Sequence, residues 1–303
     1  MREPVYSGYL ADPFLVHTPD GYIVYGTGDP AEGGTFEAIV SDDLSRWRSI
    51  GRVLERPDPV LGSDFWAPEV VFDDGRYWMF YSVGHGIAGH HIRVASCTSP
   101  LGPFVDEGVN LTPDESFAID AHPFHGLDGS WYLFFARDVL DSPTRGTHLA
   151  VVRLATMTST EGEVRSVLSP YAPWQIYERD RLMNGQIRDW YTLEGPTVVQ
   201  HDATHYLFFS GGSWEGPGYG VAYATAPGPL GPWKPQGGEG PTVLNSASVG
   251  LIGPGHNSIL RLDSGQHLIA YHAWNSARSR RQTFIDPLNW VDGVPMVAPN
   301  RQY

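Results

Sequence analysis

Five times along the chain a turn residue leads into a run of aromatic and aliphatic side chains that closes near Ser, Gly or Ala. The copies read PDGYIVYGTG from Pro19, DDGRYWMFYSVG from Asp73, LDGSWYLFFARD from Leu127, HDATHYLFFSGG from His201 and LDSGQHLIAYHAW from Leu262. Anchored on Asp20, Asp74, Asp128, Asp202 and Asp263, they recur at intervals of 54, 54, 74 and 61 residues. That is the scale of a four-stranded propeller blade with variable loops. The expected fold is all-β, a five-bladed β-propeller, with residues 1–303 as one domain. A closed ring brings one end of each innermost strand to a shared axis, so residues far apart in sequence can converge on one central pocket.

The segments between the runs fit the same unit. IVSDDLSRWRSIGRVL from Ile39 and AYATAPGPLGPWKPQG from Ala222 each read as a short strand, a turn and an outer strand, and ASCTSPLGPFVDEGVNL from Ala95 has the same layout. The 35 Gly and 25 Pro interrupt most helical periods. Tyr171 to Tyr191 is the exception: dense in aromatics and charge, it fits neither strand of the repeat and reads as a surface loop or a pocket rim.

With 34 acidic against 20 basic residues the formal charge is −14, which repels nucleic-acid phosphates and anionic lipid headgroups. A small, neutral partner fits this balance, with no nucleic acid and no membrane. Cys97 is the only cysteine, so no intramolecular disulfide forms, and it is expected to be a small buried apolar group. The opening residues MREPVYSGYLADPF have no apolar leader pattern, from which a cytoplasmic location is expected.

A short polar motif precedes each aromatic strand, where an inner strand would begin. These are Ala11-Asp12-Pro13, Trp66-Ala67-Pro68-Glu69, Ile119-Asp120-Ala121-His122-Pro123, Glu194-Gly195-Pro196 and Gly255-His256-Asn257-Ser258. An acid beside Pro is ordinarily a turn or a cap. Recurrence at equivalent blade positions is different, because carboxylates gathered around an axis repel one another unless protons, cations or chemistry use them. Two carboxylates across a pocket suit glycoside hydrolysis, one protonating the leaving oxygen and the other activating water or attacking carbon, while a third raises the acid's pKa.

As an ordered set, from about Asp12 to Trp290, these motifs closely resemble glycoside hydrolase family 43, five-bladed propeller enzymes acting on arabinose- and xylose-containing glycans. The resemblance implies that Asp12 is the general base, Glu194 the general acid and Asp120 the residue that tunes and orients the acid, with inversion at the anomeric centre. The chain departs from the family in having Ile-Asp-Ala-His-Pro around Asp120 and Glu69 where an Asp is common. Glu69 is read as a structural group behind the site.

His256 reads either as a core histidine or, as the resemblance implies, as the protein ligand of a Ca2+ or Na+ ion on the axis completed by waters; no organic cofactor is expected. Arg281, in RQTFIDPLNW, is expected to reach the sugar and support the ionised base. Trp66, Phe14, Trp214 and Trp274 are candidate stacking platforms, with Trp66 preferred, and His90, His91 and His272 are weaker candidates for hydroxyl contacts. The expected activity is inverting release of terminal α-L-arabinofuranose, with exo-action on short oligosaccharides read from the expected cytoplasmic location and from Tyr171 to Tyr191 as a block at one end of a cleft. A β-D-xylosidase of the same family is the nearest alternative, followed by a non-catalytic sugar-binding propeller.

Overall fold

In the computed structural model, which describes residues 2–30, 35–183 and 185–298, each aromatic run is the second strand of a four-stranded antiparallel meander. The first blade is β1 (Ala11–Thr18), β2 (Gly21–Thr27), β3 (Phe36–Ser41) and β4 (Arg48–Arg52), and the second is β5 (Asp64–Asp73), β6 (Arg76–His85), β7 (Ala88–Cys97) and β8 (Val105–Asn110). The third is β9 (Ala118–His125), β10 (Trp131–Val139), β11 (Gly146–Thr156) and β12 (Ser159–Leu168). After β13 (Ile176–Met183) come β14 (Gln186–His201), β15 (Thr204–Gly211), β16 (Gly220–Ala226) and β17 (Lys234–Gln236), and the last blade is β18 (Ile252–Arg261), β19 (His267–Trp274), β20 (Arg281–Val291) and β21 (Val294–Val297). The protein is a five-bladed β-propeller.

The second strands are continuous apolar runs because each is covered on both faces by neighbouring blades. Five core clusters fill the five gaps between blades. Tyr25, Phe36, Phe65 and Tyr81 pack between the first two blades, and Phe80, Ile92, Leu133 and Phe135 between the next two. The last gap returns to the start, where Leu15, Val24 and Ile39 meet Leu268, Ala270 and Ile285. Burying each such side chain contributes about 1.5–3 kcal/mol, so each gap is a substantial core of its own.

Two-residue turns set the register. Asp74 (φ 46°) with Gly75 (φ 76°), and Asp292 (φ 51°) with Gly293 (φ 77°), place both central residues in the left-handed region that a tight hairpin requires. The segment before β1 closes the ring from outside. The Val5 amide donates to the Thr283 carbonyl at 2.9 Å and the Leu10 amide to that of Arg281 at 3.1 Å. Arg2 reaches Asp286 at 2.8 Å and the carbonyls of Val249 and Ala298 at 2.9 and 2.8 Å.

Two expectations differ from what is found. Tyr171 to Tyr191 is no loop: after a turn at Pro173–Gln175, β13 pairs with the first half of β14, so Leu182 faces Ile187 in a hairpin ahead of the fourth blade. Alternation in this stretch is masked because both of its faces carry charge. Cys97 is only partly buried, since it ends β7 at the margin of the core.

Candidate active site

The five polar motifs share a backbone event that composition alone hides. In every inner strand the pairing register slips at the motif, and one residue enters the left-handed region: Asp12 (φ 50°), Ala67 (φ 50°), Asp120 (φ 61°), Gly195 (φ 56°) and His256 (φ 49°). Such a bulge re-aims the side chains around it, here towards the mouth of the axis. Only Gly195 takes this conformation without steric strain, and a Cβ there would also lie 3.2 Å from the His256 ring.

The bulge splits the motifs into two layers. The left-handed residue and the one before it face the pocket, which places Asp12, Asp120, His256, Trp66, Ile119 and Glu194 around one cavity of about 310 Å3. Residues two positions after the left-handed one form a deeper ring that stitches neighbouring inner strands together. There His122 Nδ1 meets Glu69 at 2.7 Å, the Val198 amide donates to His122 Nε2 at 2.9 Å, the Thr197 hydroxyl donates to the Asn257 carbonyl at 2.6 Å and the Ser258 hydroxyl to the Pro13 carbonyl at 2.8 Å. Phe14 holds the same place in β1. It packs into the core beside the first gap and is absent from the residues lining the cavity, which corrects its expected role as a sugar platform.

Asp12 is surrounded by positive and polar groups. Arg281 Nη1 lies 3.2 Å from its Oδ1, His272 Nδ1 3.1 Å and His256 Nδ1 3.5 Å, and the Thr27 hydroxyl donates to its Oδ2 at 2.7 Å. Burial alone would raise this carboxyl, but Arg281 first and then His256 hold it well below the usual carboxylate range. Arg281 is itself fixed, donating to the Tyr9 hydroxyl at 3.0 Å and stacking 4.6 Å over the Trp214 ring, while burial holds His272 down at about 4.

Glu194 is the opposite case. Burial and the charge of Asp120 push its carboxyl up to about 7, although a hydrogen bond from the Tyr219 hydroxyl at 2.5 Å pulls the other way. Asp120 is also raised, by burial first and then by Asp12 and Glu69, with His256 opposing. It accepts the Gly195 amide at 2.9 Å, so it is tied to the residue that follows Glu194. His256 is raised because the four carboxylates outweigh its burial. The arrangement keeps one carboxyl ionised and another protonated across one pocket.

Trp66 stacks on His90 with ring centroids 3.7 Å apart, which fixes the platform from beneath, and Trp214 stacks on Trp274 at 5.8 Å. His91 instead contacts the Thr112 carbonyl, outside the cavity. A second chamber of about 170 Å3 opens beyond Glu194, walled by Asp138, Thr147 and, from the β13–β14 hairpin, Tyr177, Arg181 and Trp190. Tyr219 carries no pattern in the sequence that would single it out, whereas the aromatic density of Tyr171 to Tyr191 marks a pocket rim, to which Tyr177, Arg181 and Trp190 contribute. Among the described residues no group of three or more His, Cys, Asp or Glu side chains converges as a metal site. His256, expected to hold an axial Ca2+ or Na+ completed by waters, turns its Nδ1 to Asp12 at 3.5 Å and to Asp120 at 3.9 Å.

Comparison with known proteins follows the same lines. The sequence profile described as glycosyl hydrolases family 43 matches residues 1–295. The chain is 28% identical to "Beta-D-galactofuranosidase xynD" of Aspergillus niger, over 98% of this chain and 84% of that protein. It is 25% identical to "Extracellular exo-alpha-(1->5)-L-arabinofuranosidase" of Streptomyces avermitilis, over 92% of this chain and 56% of that protein, so it spans about half the length of that relative. It superimposes on a thermostable family-43 glycoside hydrolase with a TM-score of 0.84 at 28% identity, over 100% of this chain and 97% of the other. The expected cytoplasmic location is overturned by the name of the Streptomyces avermitilis relative, which is extracellular.

Proposed function

The chain belongs to the glycosyl hydrolases family 43, a glycoside hydrolase acting on a carbohydrate, and from that premise we propose that it is an exo-acting, inverting enzyme releasing terminal α-L-arabinofuranose from arabino-oligosaccharides. The observation that carries the reading is the divergent environment of Asp12 and Glu194 across one cavity. The terminal sugar sits on Trp66 with its hydroxyls towards Arg281 and Asp120. Asp12 takes a proton from a water as the water oxygen bonds to the anomeric carbon. Glu194 gives its proton to the departing glycosidic oxygen as that carbon–oxygen bond breaks, and solvent later restores both groups.

Asp120 keeps Glu194 protonated by its charge and holds it in place through the Gly195 amide. Two features support an exo-acting furanosidase. Both relatives named above are furanosidases by name, and the β13–β14 hairpin walls the cavity on the side of Glu194, leaving the second chamber for the rest of the oligosaccharide. The test is turnover of p-nitrophenyl α-L-arabinofuranoside beside the β-D-xyloside and β-D-galactofuranoside, with a proton NMR time course of the first-formed anomer. Preferred cleavage of the xyloside would make it a β-D-xylosidase. First accumulation of the retained anomer would remove Asp12 as base, and no cleavage of any substrate would end the hydrolase mechanism proposed here.

A further inference from the structure

The left-handed amide of each inner strand is capped in a repeating way. Thr27, Ser82, Ala136, Ser210 and His272 hold one equivalent position, each paired across the sheet with the residue before the left-handed one of its own blade: Ala11, Trp66, Ile119, Glu194 and Gly255. From there the side chain reaches the next blade. Thr27 accepts the Ala67 amide at 3.0 Å, Ser82 the Asp120 amide at 2.9 Å, Ser210 the His256 amide at 2.8 Å and His272 the Asp12 amide at 3.1 Å. Ala136 has nothing to offer. The amide it would cap is that of Gly195, and this is the one that donates to Asp120.

The first blade shows what a hydroxyl does in this place. Thr27 accepts the Ala67 amide and donates its own hydroxyl hydrogen bond to Asp12, so a hydroxyl stands between that carboxylate and the neighbouring backbone. Asp120 holds the position in its blade that Asp12 holds in the first, yet it touches the next blade directly. Ser82 and Ser210 are both fully buried, so the position accommodates a serine.

We propose that Ala136 is a positioning residue: by leaving the Gly195 amide uncapped it hands that N–H to Asp120, and so locks the Asp120 carboxylate against the backbone beside Glu194. The inference rests on the reading of Glu194 as the proton donor. A serine at 136 would insert its hydroxyl between Gly195 and Asp120, as Thr27 does between Ala67 and Asp12, and displace the carboxylate that orients the acid.

The test is Ala136→Ser. Its kcat on arabino-oligosaccharides, whose leaving groups need protonation, is expected to fall about tenfold or more, with a smaller fall on the p-nitrophenyl arabinofuranoside. In protein labelled with [15N]glycine, the Gly195 amide proton, assigned by its response to Asp120→Asn, is expected to move upfield in Ala136→Ser as a charge-assisted bond becomes a neutral one. Unchanged activity ratios with an unmoved Gly195 resonance would overturn the proposal. A variant that failed to fold would also count against it, because serine fills the equivalent place in two other blades. If the wild type cleaves nothing, the hydrolase reading fails, and the Gly195 resonance still decides whether Ala136 directs that amide.

Discussion

The Tyr219 hydroxyl donates to Glu194 Oε1 at 2.5 Å, fixing one oxygen of the carboxyl and leaving the other for the pocket. A hydrogen bond of this kind stabilises the charged form of Glu194, so it holds the group down while burial and Asp120 push it towards about 7. Tyr219→Phe removes the restraint, and Glu194 then stays protonated to higher pH. The basic limb of the kcat/KM profile should move up by about half to one pH unit. A pH profile whose basic limb stays in place would show that Tyr219 does not set it.

Arg281 acts on Asp12 in the same direction, but on the other limb of the profile. Of the groups that oppose the burial of this carboxylate, Arg281 is the largest, and replacing it with Ala lets Asp12 climb. A base must be ionised to work, so the acidic limb of the profile should also climb. The loss in kcat/KM should be about a hundredfold, since a charged partner and a sugar contact vanish together. Stopped assays across pH 3–7, roughly spanning the carboxylate range, would read both effects.

Removing the two main carboxyls should have unequal consequences. Glu194→Ala is expected to lose about a thousandfold on oligosaccharides and far less on activated aryl glycosides, whose leaving groups depart without a proton. Asp12→Ala should lose activity on both, because no leaving group replaces the activation of water. Equal losses on the two substrate types for Glu194→Ala would rule out its acid role.

Glu69 belongs to stability. Its pair with His122 at 2.7 Å is buried, and Glu69→Ala leaves the His122 Nδ1–H without its acceptor. The expected loss is about 3 kcal/mol, or a fall in Tm of roughly 6–12 °C for a chain of this size. Glu69→Gln keeps an acceptor for His122 and should lose less than half of that. Thermal unfolding of the two variants side by side distinguishes a lost partner from a lost charge.

The ring was legible in the sequence because its second strands are buried on both faces, which turns them into unbroken aromatic runs such as YWMFY and YLFF. The placement of Asp12, Asp120 and Glu194 around one cavity was legible too, since all three lie at or just before the left-handed residue. Glu69 and Phe14 could not be sorted from them by spacing. A bulge at Ala67 leaves no glycine to announce it, and two residues past a bulge a side chain falls into the deeper stitching ring. Tyr219, just ahead of β16, has no local pattern to mark it, and His272, one of the weaker candidates, reaches Asp12 from within the last aromatic run on β19.

The hydrogen bonds from Val5 to Thr283 and from Leu10 to Arg281 join opposite ends of the chain, and between them they bring Arg281 against Asp12. The acid side of the pocket is assembled within the third and fourth blades, but the base gains its cation only when the last blade meets the first. Joining the last blade to the first is therefore what completes the surroundings of the base, while the acid owes nothing to that seam.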